Sequence, residues 1–267
     1  ITIPNDITDI NYVALCNYSG LGAIYVDEKH TKFSSIDGVL FNKEQTELLV
    51  YPQGKNGIYT LPDSVTSIEN GAFNNCNDLS GVRYNGSFED FIKISVGANN
   101  EEFNNATLYC AGTEIKGHGT CGDNLTWILY GNGNLSISGT GEMQYNDNSW
   151  LPFAPWYNIR ESITSVEIDS GVTSIMRGAF YECRNLTSIT IPAGITNIGD
   201  DYLVFEGCTS LAEINVDENN DNYSSLNGVL FNKDRSELIK YPEGKSGDYV
   251  IPASVTSIGS RSFFGCF

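Results

Sequence analysis

One feature constrains this chain more than any other: it repeats itself on two scales. The short period is clearest in Val172-Thr-Ser-Ile175, Ala179-Phe180, Cys183, Leu186, Ile189 and Ile191-Pro192. The next copy follows at once with Ile195, Ile198, Phe205, Cys208, Leu211, Ile214 and Val216. Ile168 to Ile191 and Val172 to Ile195 are each 23 residues, while two extra residues near Asp200 and Asp201 stretch the Cys spacing to 25. Further copies run from Val65 through Phe73 and Cys76 to Tyr84, and from Val255 through Phe263 to Cys266. A weaker one opens the chain, with Leu15 in the Phe slot, Tyr18 in the Cys slot and Cys16 off pattern.

The longer period is a duplication. Residues 21–76 align with 211–266 at a constant shift of 190, with 29 identities in 56. Both copies carry an insertion that reads as a β-hairpin: Gly38 to Lys43 then Leu48 to Pro52, matched by Gly228 to Lys233 then Leu238 to Pro242.

A Leu-x-x-Ile-x-Ile run is a strand with alternate side chains buried. One such unit cannot bury its apolar face alone, whereas stacked copies share a continuous core. The expected architecture is therefore a solenoid: β-rich, with parallel stacked strands, short helices or turns, and inserted β-hairpins. Repeats should occupy residues 1–81 and 164–267. An accessory helix and strand should occupy 82–110, where Ser87 caps a turn bearing Phe88, Phe91 and Ile92, and a strand lies near Thr107 to Tyr109. Residues 111–120, rich in Gly and Thr, read as a linker. Residues 121–163 hold a second hairpin around Gly131-Asn-Gly-Asn134, then a short helix after Pro155-Trp156.

Leu186-Thr-Ser-Ile-Thr-Ile-Pro192, with Val172-Thr-Ser-Ile175 and Ala179-Phe180-Tyr-Glu-Cys183, resembles the BspA-like leucine-rich repeat family of bacterial surface proteins. Gly119 to Trp127 with Ser138 to Gly141, and residues 82–110, resemble accessory segments that accompany such repeats. The resemblance implies a leucine-rich-repeat solenoid, extracellular or cell-surface localisation, and roles in adhesion and protein binding. It implies no catalytic residue.

Charge narrows the partners. The 33 acids and 15 bases leave a net charge of −18, which disfavours nucleic acid, since phosphate binding needs clustered Lys and Arg. No run of 18 apolar residues occurs, so no membrane-inserted helix is expected here. The chain opens at Ile1 without Met and reads as an excised fragment.

The duplication also sorts the chemistry, because a residue present in both copies serves the scaffold. Asp27-Glu28 resembles a glycosidase acid pair, yet Asp217-Glu218 repeats it. His30 aligns with Asn220, so the scaffold does not require it, and His118 stands alone. No zinc, phosphate-loop or nucleophile-elbow motif occurs. The run from Asp217 to Asn222 is oxygen-rich and is a candidate for calcium, with a solvated loop as the alternative. Four of the seven cysteines hold the same slot and read as small buried residues. Cys110 and Cys121 flank the linker and are candidates for a bridge.

Two candidate surfaces remain. The outward strand positions are Ala23 and Tyr25, Gly81 and Arg83, Ser165 and Glu167, Ser188 and Thr190, and Glu213 and Asn215. Of these, Tyr25, Arg83, Glu167, Thr190 and Asn215 are the candidate face for a protein partner. The aromatic cluster of Trp127, Tyr145, Trp150, Phe153, Trp156 and Tyr157 either packs onto the next repeat or, at Trp150, contacts carbohydrate. The leading expectation is a non-enzymatic, surface-displayed scaffold for protein binding, without cofactor or metal. A carbohydrate- or cell-wall-binding module, or a spacer within a larger secreted protein, is the alternative.

Overall fold

A computed structural model describes residues 1–16, 18–144, 154–199 and 203–266. The described residues are β-rich, with a few short helices and no closed barrel among them. Two compact units divide the chain, Ile1–Ile115 and Lys116–Phe267.

In the first unit, strands from successive copies pair in parallel. Thr2–Ile3 lies beside Tyr25–Val26, and Leu79–Tyr84 lies between Gly57–Leu61 and Thr107–Cys110. Ser67–Ile68 lies parallel to Glu47–Val50 on one side and to Ser95–Val96 on the other. Antiparallel pairing is confined to the insertion and to the pair of Thr107–Cys110 with the strand that follows it. The insertion is a three-stranded meander: Phe33–Ile36, Val39–Asn42 and Glu47–Val50. The expected hairpin supplies its last two strands. Its first turn, Asp37-Gly38, has positive φ at both residues (50° and 75°), the geometry that Asp-Gly accepts in two-residue hairpins.

The second unit repeats the scheme. Asn134–Gly139 pairs in parallel with Ser165–Ile168, and Ser188–Ile191 with Glu213–Val216. Val172–Ile175 lies between Gly141–Glu142 and Asn197–Ile198. The hairpin Leu125–Tyr130 with Asn134–Gly139 forms as the Gly-Asn turn predicts. The insertion is again a meander, with Asn227 and Gly228 at positive φ. The short helix after Pro155 forms as a 3-10 turn, Tyr157–Ser162.

The repeat slots build the core. Phe73, Cys76, Phe180, Phe205 and Cys208 are each at most 1% exposed. Aromatic rings stack from copy to copy. Tyr51 and Phe73 lie 4.8 Å apart, as do Phe73 and Phe103. In the second unit the series is Trp156, Phe180 and Phe205, at 6.4 and 5.8 Å. Backbone bonds run alongside. Tyr51 N donates to Ala72 O, Phe180 N to Val204 O and Tyr241 N to Ser262 O. Each acceptor is the carbonyl just before the next ring. Where one of two neighbours is not a standard copy, side chains substitute: Phe73 N donates to Asn100 Oδ1 at 2.9 Å, and Trp156 Nε1 donates to Ala179 O at 2.7 Å.

Three expectations are corrected. Residues 111–120 hold the boundary between the two units, and most of them form the strand Thr113–Gly122 instead of an irregular linker. Its glycines are there for proximity: a Cβ at Gly119 would come within 2.9 Å of Trp127 Nε1, and one at Gly117 within 3.0 Å of the same ring. In the opening copy it is Cys16, 5% exposed, that turns inward, while Tyr18 is 55% exposed. The helix Tyr12–Cys16 replaces the usual turn there and rotates the slot by two residues. Phe263 is 36% exposed and stacks on Tyr241 at 5.2 Å. In addition, the strand Leu79–Tyr84 runs through the point where repeat was expected to give way to accessory segment.

The seven cysteines are free, Cys110 and Cys121 included, and all but Cys266 are buried. Cys208 Sγ donates to Phe180 O at 3.0 Å and Cys76 Sγ to Tyr51 O at 3.5 Å, so the thiol also joins the copy before it. Burial pushes the thiols of Cys76 and Cys183 up to about 12 from the ordinary 9.0. Cys208 also lies well above that value, chiefly through desolvation.

Phe180→Ala should cost about 3–5 kcal/mol of unfolding free energy in urea titration, through the cavity it leaves. Phe263→Ala should cost about half as much or less, since that ring already meets water. The thiols predict alkaline weakening. The unfolded chain releases their protons above 9.0 while the fold holds them until about 12. Stability is therefore full below the lower value and falls between the two. The melting temperature should drop across that window, and less steeply in Cys183→Ala relative to its own neutral-pH value.

Candidate functional site

The outward strand positions are the candidate site, and each unit presents its own. In the second unit, alternation along the strands buries Val166, Ile189, Ile191 and Ile214 and turns Ser165, Glu167, Ser188, Thr190 and Glu213 to solvent. Asn215 is half-buried. Register aligns these side chains: Ser136 stands opposite Glu167, and Thr190 opposite Asn215. Polar side chains couple along and across the strands. Ser165 Oγ donates to Asn134 Oδ1 at 3.1 Å, and Asn215 Nδ2 donates to Glu213 Oε2 at 3.3 Å. Such a face is polar, with Ser165, Ser188 and Thr190 small enough to let another surface approach closely.

In the first unit, Tyr25 is 58% exposed on the strand Tyr25–Val26. Arg83 is exposed on Leu79–Tyr84, with Thr60 and Tyr109 as its cross-strand neighbours. Its guanidinium lies 6.0 Å from the Tyr109 ring centroid. Their strands belong to different sheets, so the structure does not join Tyr25 and Arg83 in one row. Ala23 is half-buried and Gly81 buried.

The aromatic cluster packs rather than projects wherever it is described. Trp127 is 5% exposed and Trp156 is fully buried, with their rings 5.6 Å apart. Tyr157 stacks on Tyr181 and carries Arg160 over its face at 3.9 Å. Tyr145, Trp150 and Phe153 lie outside the described residues.

The acidic and histidine candidates serve the backbone. Asp27 Oδ1 accepts from Lys29 N, and Asp217 Oδ1 accepts from Asn219 N, both at 2.9 Å. The Asp of the pair is thus a turn former in both copies. In the calcium candidate, the Lys233 ammonium occupies the loop, donating to Glu218 O and Asn220 O. Lys43 makes the same bond to Glu28 O. A cation is already built in, and among the described residues no group of three His, Cys, Asp or Glu side chains is placed to hold a metal.

His30 and Asn220 are a correction. The scaffold does need this position. Both side chains are buried, at 1% and 0% exposure. His30 Nδ1 accepts from Lys32 N and Phe33 N, and Nε2 bonds Ile7 O at 2.9 Å. Asn220 Oδ1 accepts from Asn222 N and Tyr223 N, and its Nδ2 donates to Pro192 O and Ile195 O. Two different side chains meet one requirement: an acceptor facing the turn and a donor facing the previous copy.

Sequence reasoning missed one charged site. Lys240 and Glu243 form an ion pair at 3.3 Å with side chains only 2% and 3% exposed. Glu243 accepts from Gly207 N, and Lys240 donates to Phe264 O. Every charge is hydrogen-bonded, as a buried pair requires. The first copy has Val50 and Gln53 there, with Gln53 Nε2 donating to Cys16 O. Comparison of the two copies at these positions was the signal that could have exposed it.

His30→Asn should leave unfolding free energy within about 1 kcal/mol of the parent. His30→Ala should lower it by about 2–4 kcal/mol, because buried groups lose their partners. Chemical denaturation of the two variants checks this.

No curated protein matches the chain. Among solved structures it is similar to a leucine-rich repeat protein from Eubacterium ventriosum, at 25% identity over 55% of this chain and 57% of that one, with a TM-score of 0.29. It is also similar to the pneumococcal vaccine antigen PcpA, at 20% identity over 87% and 50%, with a TM-score of 0.37. A leucine rich cell surface protein from Faecalibacterium prausnitzii matches at 17% identity over 90% and 76%, with a TM-score of 0.31. The chain thus spans less than two thirds of the first two. The family described as BspA type leucine rich repeat region matches in six copies, over residues 1–80, 57–95 and 156–244. These matches take in more than half of the sequence, including the copies in which Tyr51 stacks on Phe73 and Phe180 on Phe205: the chain belongs to the BspA-type leucine-rich repeat family.

Proposed function

We propose that this protein is a non-enzymatic, surface-displayed leucine-rich-repeat scaffold that binds a protein partner, in the setting of adhesion. Its copies would stack as a solenoid whose outward strand face does the binding. Family membership supports the scaffold role. The observation that carries the binding reading is the register of outward side chains in the second unit, Ser136 with Glu167 and Thr190 with Asn215. Parallel strands hold these groups at fixed spacing, so little side-chain order is lost when a partner lands. Contact would be spread over many weak interactions, which is how repeat faces bind. The net charge of −18 steers basic partners toward it.

Surface plasmon resonance of the immobilised chain against a panel of purified extracellular proteins tests this. A basic protein should bind, more weakly as salt rises. Glu167→Lys with Thr190→Arg should weaken that binding about tenfold and leave the melting temperature unchanged. Tyr25→Ala and Arg83→Ala ask the same of the first unit. A panel with no binder, or binding indifferent to all four substitutions, would sink the reading.

A further inference from the structure

The duplication also separates what the scaffold requires from what one copy alone carries. In the second insertion, a groove of about 480 Å³ lies between Val216 to Glu218, the strand Tyr223–Leu226 and the turn Lys233 to Arg235. That volume suits a small ligand. The opening belongs to the insertion itself. In the first copy, Glu28, Ser34, Ser35, Glu44 and Gln45 are as open as Glu218, Ser224, Ser225, Asp234 and Arg235, although residues 77–115 follow them in the same unit.

The backbone is alike in the two copies. Gln45 and Arg235 share the left-handed conformation, both at φ 59°. Ser35 Oγ and Ser225 Oγ accept from Val26 N and Val216 N, both at 3.0 Å. The side chains differ: Arg235 replaces Gln45, Tyr223 replaces Phe33 and Asp234 replaces Glu44. Arg235 is half-buried, and Nη2 donates to Ser225 O at 3.2 Å. It pairs with no carboxylate among the described residues, so its other N–H groups remain as donors. Asp217 uses Oδ1 on Asn219, and Glu218 engages only its backbone carbonyl among the described residues, so both keep carboxylate oxygens as acceptors. Tyr223 is half-buried where Phe33 is buried, and its hydroxyl already accepts from Ile198 N at 3.0 Å. Its ring, not its hydroxyl, is what the groove offers.

These groups select by charge. The lining sets Asp217, Glu218 and Asp234 against Lys233 and Arg235, and the Lys233 ammonium is spent on Glu218 O and Asn220 O. An anion therefore meets an excess of negative charge, and a cation meets the guanidinium. A ligand with adjacent uncharged hydroxyls satisfies both kinds of group, since its oxygens accept from Arg235 while its hydrogens go to carboxylates. The Tyr223 ring adds apolar area for the C–H face of a sugar ring. We propose that this groove binds an uncharged sugar: Arg235 donates to neighbouring hydroxyls, Asp217 and Glu218 accept from them, and the sugar ring lies on Tyr223. The site shares no residue with the outward strand positions and does not rest on the protein-binding reading.

Saturation-transfer difference NMR of the whole chain tests it, with galactose, glucose, mannose, N-acetylglucosamine and lactose as probes and glucuronate and sialic acid as charged controls. At least one neutral sugar should give a saturable signal, stronger than either acidic one. Arg235→Gln installs the residue that the first copy already carries on the same backbone. It should weaken binding about tenfold or more and leave the melting temperature unchanged. Glu218→Ala, at an exposed side chain, should also weaken binding, whereas Glu167→Lys with Thr190→Arg should not. Silence from all the neutral sugars, binding of the acidic sugars alone, or neutral-sugar binding that survives both Arg235→Gln and Glu218→Ala overturns the proposal. Loss of panel binding in the plasmon experiment leaves these outcomes unaffected, so the two readings fail separately.

Discussion

Everything else in this protein depends on how one copy holds the next: an aromatic ring stacked on a ring, and the first ring's N–H tied to the carbonyl before the second. Tyr51 on Phe73 and Phe180 on Phe205 both obey this geometry. The ring supplies the apolar area and the carbonyl supplies the register. Neither suffices alone, because dispersion between rings is tolerant of sliding while a hydrogen bond is not. Buried thiols add a second tie at the same level, Cys208 to Phe180 O and Cys76 to Tyr51 O.

The tie persists where the repeat fails. Asn100 lends a side-chain carbonyl to Phe73 N, and Trp156 lends an indole N–H to Ala179 O. In each case the residue departs from the repeat pattern, yet the donor-acceptor pair remains. The same logic explains His30 against Asn220, where imidazole and carboxamide each provide one acceptor and one donor. What a position must satisfy is a set of backbone groups, and several residue types can satisfy it. Lys240 with Glu243 against Val50 with Gln53 goes further, for a buried ion pair and an apolar-amide pair fill equivalent places.

Much of this was legible in the residues. The recurrence of Phe and Cys marked the core, and Gly131-Asn-Gly-Asn134 marked its hairpin. The insertion was read one strand short because its first run was begun at Gly38, inside the Asp37-Gly38 turn, which left out the strand Phe33–Ile36. Residues 111–120 were misread because Gly-x-Gly signals flexibility unless a ring lies against it, and Trp127 does so from a later strand. Cys16 was read as off pattern because the 23-residue count assumes a turn where the chain makes the helix Tyr12–Cys16. The turn at Asp37-Gly38 and the helix Tyr12–Cys16 are local, whereas the ring against Gly117 and Gly119 comes from the following strand. For the outward face, alternation identified Ser165, Glu167, Ser188, Thr190 and Glu213 as leaving the core, but Gly81, read the same way, is buried.

By itself the sequence determined that copies exist, which residues they bury and which family they belong to, since periodic apolar positions have no stable alternative to packing on one another. Tertiary structure alone decided which side chain satisfies each buried set of backbone groups. His30 and Asn220 differ in chemistry, yet both are buried and each bonds its own turn and the copy before it. The physical reason is that the groups to be satisfied come partly from a segment more than twenty residues away, which no local pattern records.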